Sequence, residues 1–211
     1  MSRATGRDEM TMDPQEAAAL MAATRRQART ALAIRLPLVY LPWGAAWLIG
    51  LGAMWLSVRN QRPYHGPSGA ALAVLAILLL AAVGVTMIVV TRATRGVSGP
   101  SAVQGRIYGL SWPIGFAALF LIEGALGQHG ASGPVLGIVS GAGPILVTGL
   151  IYVLAAAIWL DWSMFWLGTW LAVVAAAGAW AGPVSLLLIG ALAGGGGFLA
   201  MAGFLTLRHR P

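Results

Sequence analysis

The chain has 211 residues, of which 58% are hydrophobic and only 9% charged, with a formal net charge of +7 and no cysteine; mean hydropathy is +0.80. This composition excludes a disordered chain, a disulfide scaffold, a thiol enzyme and a cysteine-ligated metal site. A soluble domain of this size is about a quarter charged, and several apolar runs here approach ~20 residues, so the chain reads as an all-α, polytopic membrane helix bundle.

Residues 1–36 are the polar segment. Asp13, Pro14 and Glu16 occupy the cap, first-turn and capping-box positions of a helix expected to run through Arg29. Ala17, Leu20, Met21, Thr24 and Ala28 recur at spacings of three and four, and Arg25, Arg26 and Arg29 crowd its end, where cations complement the helix dipole. The pattern predicts a cytoplasmic amphipathic helix. Arginines near anionic lipid contribute ~1 kcal/mol each, so Arg25, Arg26 and Arg29 are candidate contacts to the lipid bilayer or to a cytoplasmic partner such as an ATPase or a regulatory protein. The segment is too polar for a cleavable signal peptide, so the first span is expected to be an uncleaved anchor.

A bilayer core is about 30 Å thick and a helix rises about 1.5 Å per residue, so each span needs ~20 apolar residues. Six segments meet this: Pro37 to Val58, Gly69 to Thr91, Tyr108 to Gly127, Pro134 to Leu160, Trp162 to Trp180 and Pro183 to Leu207. They make residues 37–207 one transmembrane domain with a short tail, 208–211. The runs are continuous and rich in Leu and Ala, which fits helices and not the alternating strands of a barrel. All basic residues are arginine. With the N-terminus inside, only Arg59 and Arg62 fall outside, which satisfies the positive-inside rule and places both termini at the cytoplasmic face of the inner membrane. The positive charge is then a topology signal, and no nucleic-acid partner is expected.

Ionisable groups are scarce within the spans. Glu123, in the third, lies about one turn before its outer end, and carboxylates at such depths commonly face a cavity or a partner, here Arg59, Arg62 or His129. The alternative is that it reaches outer water. The fourth span carries Gly133, Gly137 and Gly141 at the spacing that lets helices approach closely, followed by Pro144, which is expected to kink it. Asp161 breaks the apolar sequence between the fourth and fifth spans and is a good cap for the helix that follows. Trp159, Trp162 and Trp166 around it fit an interfacial aromatic belt, as do Trp43 and Trp180 at other span ends. Trp47 and Trp170 lie deeper, as helix packing or as the wall of an apolar pocket.

The sixth span contains Gly194, Gly195, Gly196 and Gly197 in succession near mid-membrane, among 29 glycines in the chain. Each costs about 1 kcal/mol relative to alanine in a water-exposed helix, so the run needs an offsetting reason. Two remain open: close packing against the fourth span, or a hinge whose carbonyls line a cavity, as in the broken helices of transporters. No Lys-Ser/Thr follows the glycines, which argues against phosphate cradling. His65, His129 and His209 lie outside the spans, so no haem or metal site is expected, and no cofactor is implied.

Gly130-Ala131-Ser132-Gly133 resembles the nucleophile segment of rhomboid intramembrane proteases, but the sixth span lacks the histidine that would activate the serine, so no catalytic residue is assigned. A broader likeness rests on Pro42-Trp43-Gly44 with Trp47, Tyr108-Gly109-Leu110-Ser111-Trp112-Pro113, Ala157-Ile158-Trp159-Leu160-Asp161, Leu167-Gly168-Thr169-Trp170 and the glycine run. Together these resemble a group of small six-helix actinobacterial integral membrane proteins, labelled transporters or uncharacterised. The resemblance implies class and location, and no site residues. The expected function is a non-enzymatic small-molecule transporter or permease subunit, with Glu123, Pro144 and Gly194 to Gly197 at its cavity or hinge. The alternative is a membrane adaptor or sensor that recruits a cytoplasmic partner through its N-terminal helix. A homo-oligomer is compatible with either, and three spans before and after the midpoint would permit an inverted repeat.

Overall fold

The computed structural model describes residues 36–94 and 100–208, together with residues 13, 15, 16 and 19. They form six long helices and, among the described residues, no strand. These are α1 (Leu36–Val58), α2 (Gly69–Ala93), α3 (Pro100–Gln128), α4 (Gly133–Trp159), α5 (Trp162–Ala181) and α6 (Pro183–Arg208), the last containing a π-helical stretch at Gly190–Gly195. All six are long and apolar enough to cross a membrane, so the architecture is compatible with a multi-pass integral membrane protein.

Of the expected N-terminal helix, the Gln15 amide donates to Asp13 Oδ1 at 3.1 Å, the capping contact. Its apolar face and Arg25, Arg26 and Arg29 lie outside the described residues, as does His209. The spans otherwise fall where hydropathy places them, except that α3 begins at Pro100, eight residues before Tyr108. Hydropathy marks the apolar part of a helix and not its start. Pro100, whose fixed φ suits a first turn, opens the helix in sequence too polar to score as membrane.

The pairs α1–α2, α3–α4 and α4–α5 pack side by side, as the facing residues show. Gly50 faces Leu75 between α1 and α2, Gly143 faces Leu119 between α3 and α4, and Gly149 faces Gly168 between α4 and α5. The α4–α5 pair is the most extensive contact, because a Cβ on Gly149 would meet the Gly168 carbonyl at 2.7 Å and one on Gly168 would meet the Gly149 carbonyl at 2.6 Å. Only backbones this bare let helices approach so closely. The chain closes by bringing α6 back against α1, where Gly44 faces Leu199 and Gly190 faces Leu51.

The core therefore lies among α1, α4, α5 and α6, with Tyr40, Trp47, Ile145, Tyr152, Leu171, Leu186 and Phe198 buried together. Helix α2 packs chiefly on α1 and α3 on α4, and both leave most of their apolar surface exposed. The two halves of the chain are thus packed differently: the second and third helices are peripheral, whereas the fifth and sixth are central.

Both ends are closed by short, specific turns. Asp161 caps α5 as expected, its Oδ1 accepting from the Ser163 amide at 2.8 Å and the Ser163 hydroxyl at 2.5 Å. Leu160 before it holds a left-handed φ of 52°, which permits the abrupt reversal. At the opposite end, the α1–α2 loop is organised by Gln61, whose amide nitrogen donates to the Ser57 and Gly66 carbonyls at 3.2 and 2.9 Å while its Oε1 accepts from the His65 amide at 2.9 Å. This folds the Tyr64 ring onto Gly137 of α4, where a Cβ would meet the ring at 2.7 Å. Burial there pushes the Tyr64 phenol pKa above its ordinary 10.0.

Candidate functional site

Among the described helices, the departure from α geometry lies at the centre of α6. A π-helix bonds each N–H to the carbonyl five residues earlier, packs its turn less well than an α-helix and commonly marks a functional position. Gly190–Gly195 adopts it here, ending within the glycine run. Most of the six residues are buried, so their neighbours determine why the chain tolerates it.

Three of the four glycines are receptors for another helix. A Cβ on Gly194 would meet the Trp47 ring of α1 at 2.9 Å, and one on Gly195 would meet the Leu48 amide nitrogen at 2.8 Å and the Gly44 carbonyl at 3.0 Å. A Cβ on Gly197 would meet the Trp170 ring of α5 at 2.8 Å. Gly196 differs: nothing lies within 4 Å of its Cβ position, and it points outward. The run packs against α1 and α5, rather than against α4.

Irregular backbone inside a bilayer must have its carbonyls satisfied, because no water is there to do so. At Ala193 the carbonyl shares the Gly196 amide with Leu192, and Trp170 adds a second donor, its indole N–H reaching that carbonyl at 2.8 Å. The side chain is about half exposed, so this bond lies at the lateral surface of the bundle. Trp47 is instead a buried packing residue at the same level.

Immediately after the glycines, Phe198 enters an aromatic cluster. Its ring centroid lies 5.3 Å from Trp47, 5.9 Å from Tyr152 and 6.2 Å from Tyr40. Tyr152 continues to Trp112 at 6.0 Å, which stacks with Trp43 at 6.3 Å. Trp43 also donates to Thr86 Oγ1 at 3.0 Å, so it is a clamp joining α1, α2 and α3 and not the belt residue expected of it. Trp162, Trp166 and Trp180 are exposed at helix ends, as belt residues are. Within the cluster the Tyr40 hydroxyl is buried without a hydrogen-bond partner among the described residues. Such orphans are rare in native structures because each costs about 1–3 kcal/mol.

The other candidates lie elsewhere. Glu123 is half-buried at the α3–α4 contact, within reach of Ser140 rather than of Arg59, Arg62 or His129. Arg59 itself lies over the Trp55 ring, 5.4 Å from its centroid. Pro144 falls within an uninterrupted α4, where the Thr148 hydroxyl donates to its carbonyl at 2.8 Å. The neighbour Ile145 touches Gly190, so Pro144 adjoins the π stretch while Glu123 does not share its site. Among the described residues no group of three or more His, Asp or Glu could hold a metal ion.

The glycine run was visible in the sequence, but its partners were not. Gly44 and Trp170 carry the signal that would have found them: a small residue on α1 and an indole donor on α5, at the depth of the run. No protein-family profile, curated protein or solved structure matches the chain.

Proposed function

We propose that the chain is a small-molecule transporter or permease subunit whose moving part is the glycine joint of α6. The observation that carries this reading is the π-helical stretch at Gly190–Gly195, built from residues without side chains at its contacts with α1. A π turn contains one more residue than the α turn it replaces. Converting it, or passing it along the glycines, rotates Gly196–Arg208 relative to Pro183–Ile189 by about 100°, the angle per residue of an α-helix. Bare backbone offers little resistance to that sliding.

Phe198 is the first large side chain past the joint, so such a rotation withdraws it from Tyr40 and Tyr152. The cluster then opens towards the Asp161 end and the orphan Tyr40 hydroxyl becomes available to a polar group of a solute. In this reading both termini are cytoplasmic, the Asp161 end faces the cytoplasm, and the membrane is the inner one. The sequence contains no P-loop, so energy comes from an ATPase partner or from a cation held by backbone carbonyls.

A second reading is a non-catalytic adaptor. It is favoured by α2 and α3, whose large exposed apolar surfaces suit a neighbouring membrane subunit. Native mass spectrometry of the protein purified from its own host membrane separates the two. The transport reading predicts a stoichiometric ATPase or a bound small molecule. A cytoplasmic regulator with neither, lost on charge reversal of Arg25, Arg26 and Arg29, would replace it with the adaptor.

A further inference from the structure

We infer that α5 and α6 form a binding site for one anionic phospholipid of the leaflet on the Arg208 side. A lateral groove of about 460 Å³ runs between these helices, walled by Trp166, Trp170, Leu192 and Phe204 and floored by Gly196 and Ala200. The floor is low because its residues carry little or no side chain, and the walls are high because theirs are large. All four wall residues are exposed, so the groove opens sideways to the surroundings of the bundle and not to its core.

Length and charge identify the occupant. From Leu192 to Phe204 the groove follows twelve residues of helix, about 18 Å at a rise of ~1.5 Å per residue. The hydrocarbon of one leaflet is about 15 Å deep, half of the ~30 Å core, so a slightly tilted groove matches one acyl chain from headgroup to bilayer centre. At its deep end, the Trp170 indole and the Ala193 carbonyl are already bonded to each other, which leaves a largely apolar surface for the chain terminus.

At the shallow end, Arg208 follows Phe204 by four residues and therefore lies on the same face of α6, one turn further out. It is exposed and ends the helix. A guanidinium there meets a lipid phosphate at the depth where headgroups lie, in the bidentate geometry arginine favours. A partner helix would fill the same groove but would leave this terminal cation without a designated anion. The assignment rests on the membrane-spanning architecture alone and is independent of the transport reading.

The test is native mass spectrometry of the full chain released from micelles containing equal amounts of phosphatidylglycerol and phosphatidylcholine. Wild type is expected to retain one phosphatidylglycerol per chain after looser lipids are stripped, with a preference over phosphatidylcholine of about fivefold, the factor equivalent to ~1 kcal/mol for one arginine at an anionic surface. Ala200→Leu, which fills the groove, should release that lipid. Arg208→Gln, an exposed change that leaves the packing intact, should keep a lipid but lose the headgroup preference. Retention of the same lipid by a folded Ala200→Leu variant, or an unchanged preference in Arg208→Gln, would overturn the assignment, as would equal binding of both lipids by wild type.

Discussion

Within the glycine run, adjacent residues of the same type have opposite requirements. Gly195 lies against the α1 backbone, where neither the Leu48 amide nor the Gly44 carbonyl has a side-chain rotamer with which to yield. Gly195→Ala is therefore expected to destabilise the fold by about 1–3 kcal/mol. Gly196 has open space at its Cβ position and an ordinary helical φ of −59°, so Gly196→Ala should stabilise by about 0.5–1 kcal/mol through reduced backbone freedom. Thermal unfolding of the two variants in detergent checks both signs. Leu160 offers a third case. Its left-handed φ costs an L-residue about 1–2 kcal/mol, and its side chain is 84% exposed, so Leu160→Gly should raise the melting temperature. The sequence displays four equivalent glycines, and what distinguishes them is the neighbour each one faces, which no local pattern encodes.

Elements were more legible than their partners. Apolar runs of about 20 residues located all six helices because the length a bilayer demands is written into the hydropathy itself. The start of α3 was displaced because Pro100 to Ile107 is helical without being apolar. The Gly133, Gly137, Gly141 series shows a different gap: its spacing is one that lets helices approach closely, yet Gly137 takes the Tyr64 ring from a loop and Gly141 takes Leu186 of α6. Spacing reveals a notch and not what fills it. Two hydrogen bonds then fix how elements meet. Trp170→Phe keeps the ring but removes the indole donor to the Ala193 carbonyl, which predicts a loss of about 0.6–1.7 kcal/mol, since the carbonyl keeps only the Gly196 amide that it shares with Leu192. Thr86→Val removes the acceptor for Trp43 and should cost about 0.6–1.7 kcal/mol by loosening α2 from α1. A double-mutant cycle between positions 43 and 86 isolates that bond from the ring packing.

At the scale of the molecule, four helices hold a dense core and two ride on its edge. Three spans on each side of the midpoint would permit an inverted repeat, although the two halves share no convincing sequence similarity. The structure assigns them unequal tasks, because α5 and α6 carry the glycines that allow intimate contact whereas few of the α2 and α3 glycines meet a neighbouring helix. The π-helical stretch of α6 lies between an α1 backbone it touches directly and the aromatic cluster of Tyr40, Tyr152 and Phe198. Its proposed role as a moving part makes a demand on the whole protein: residues buried below the joint must become reachable from the Asp161 end.

The absence of cysteine makes that demand directly measurable, because one introduced thiol is the only one present. Ala202, four residues beyond Phe198 on α6, is 1% exposed in the packed core, while Ala82 of α2 is 0% exposed, and each accepts cysteine with little change in volume. Labelling Ala202→Cys and Ala82→Cys with a membrane-impermeant maleimide in inside-out vesicles compares a site below the joint with a static one. A moving joint predicts that Ala202→Cys is labelled measurably faster than Ala82→Cys, and that adding Gly195→Ala changes that rate. Equal, negligible labelling of both, in folded protein, would contradict it.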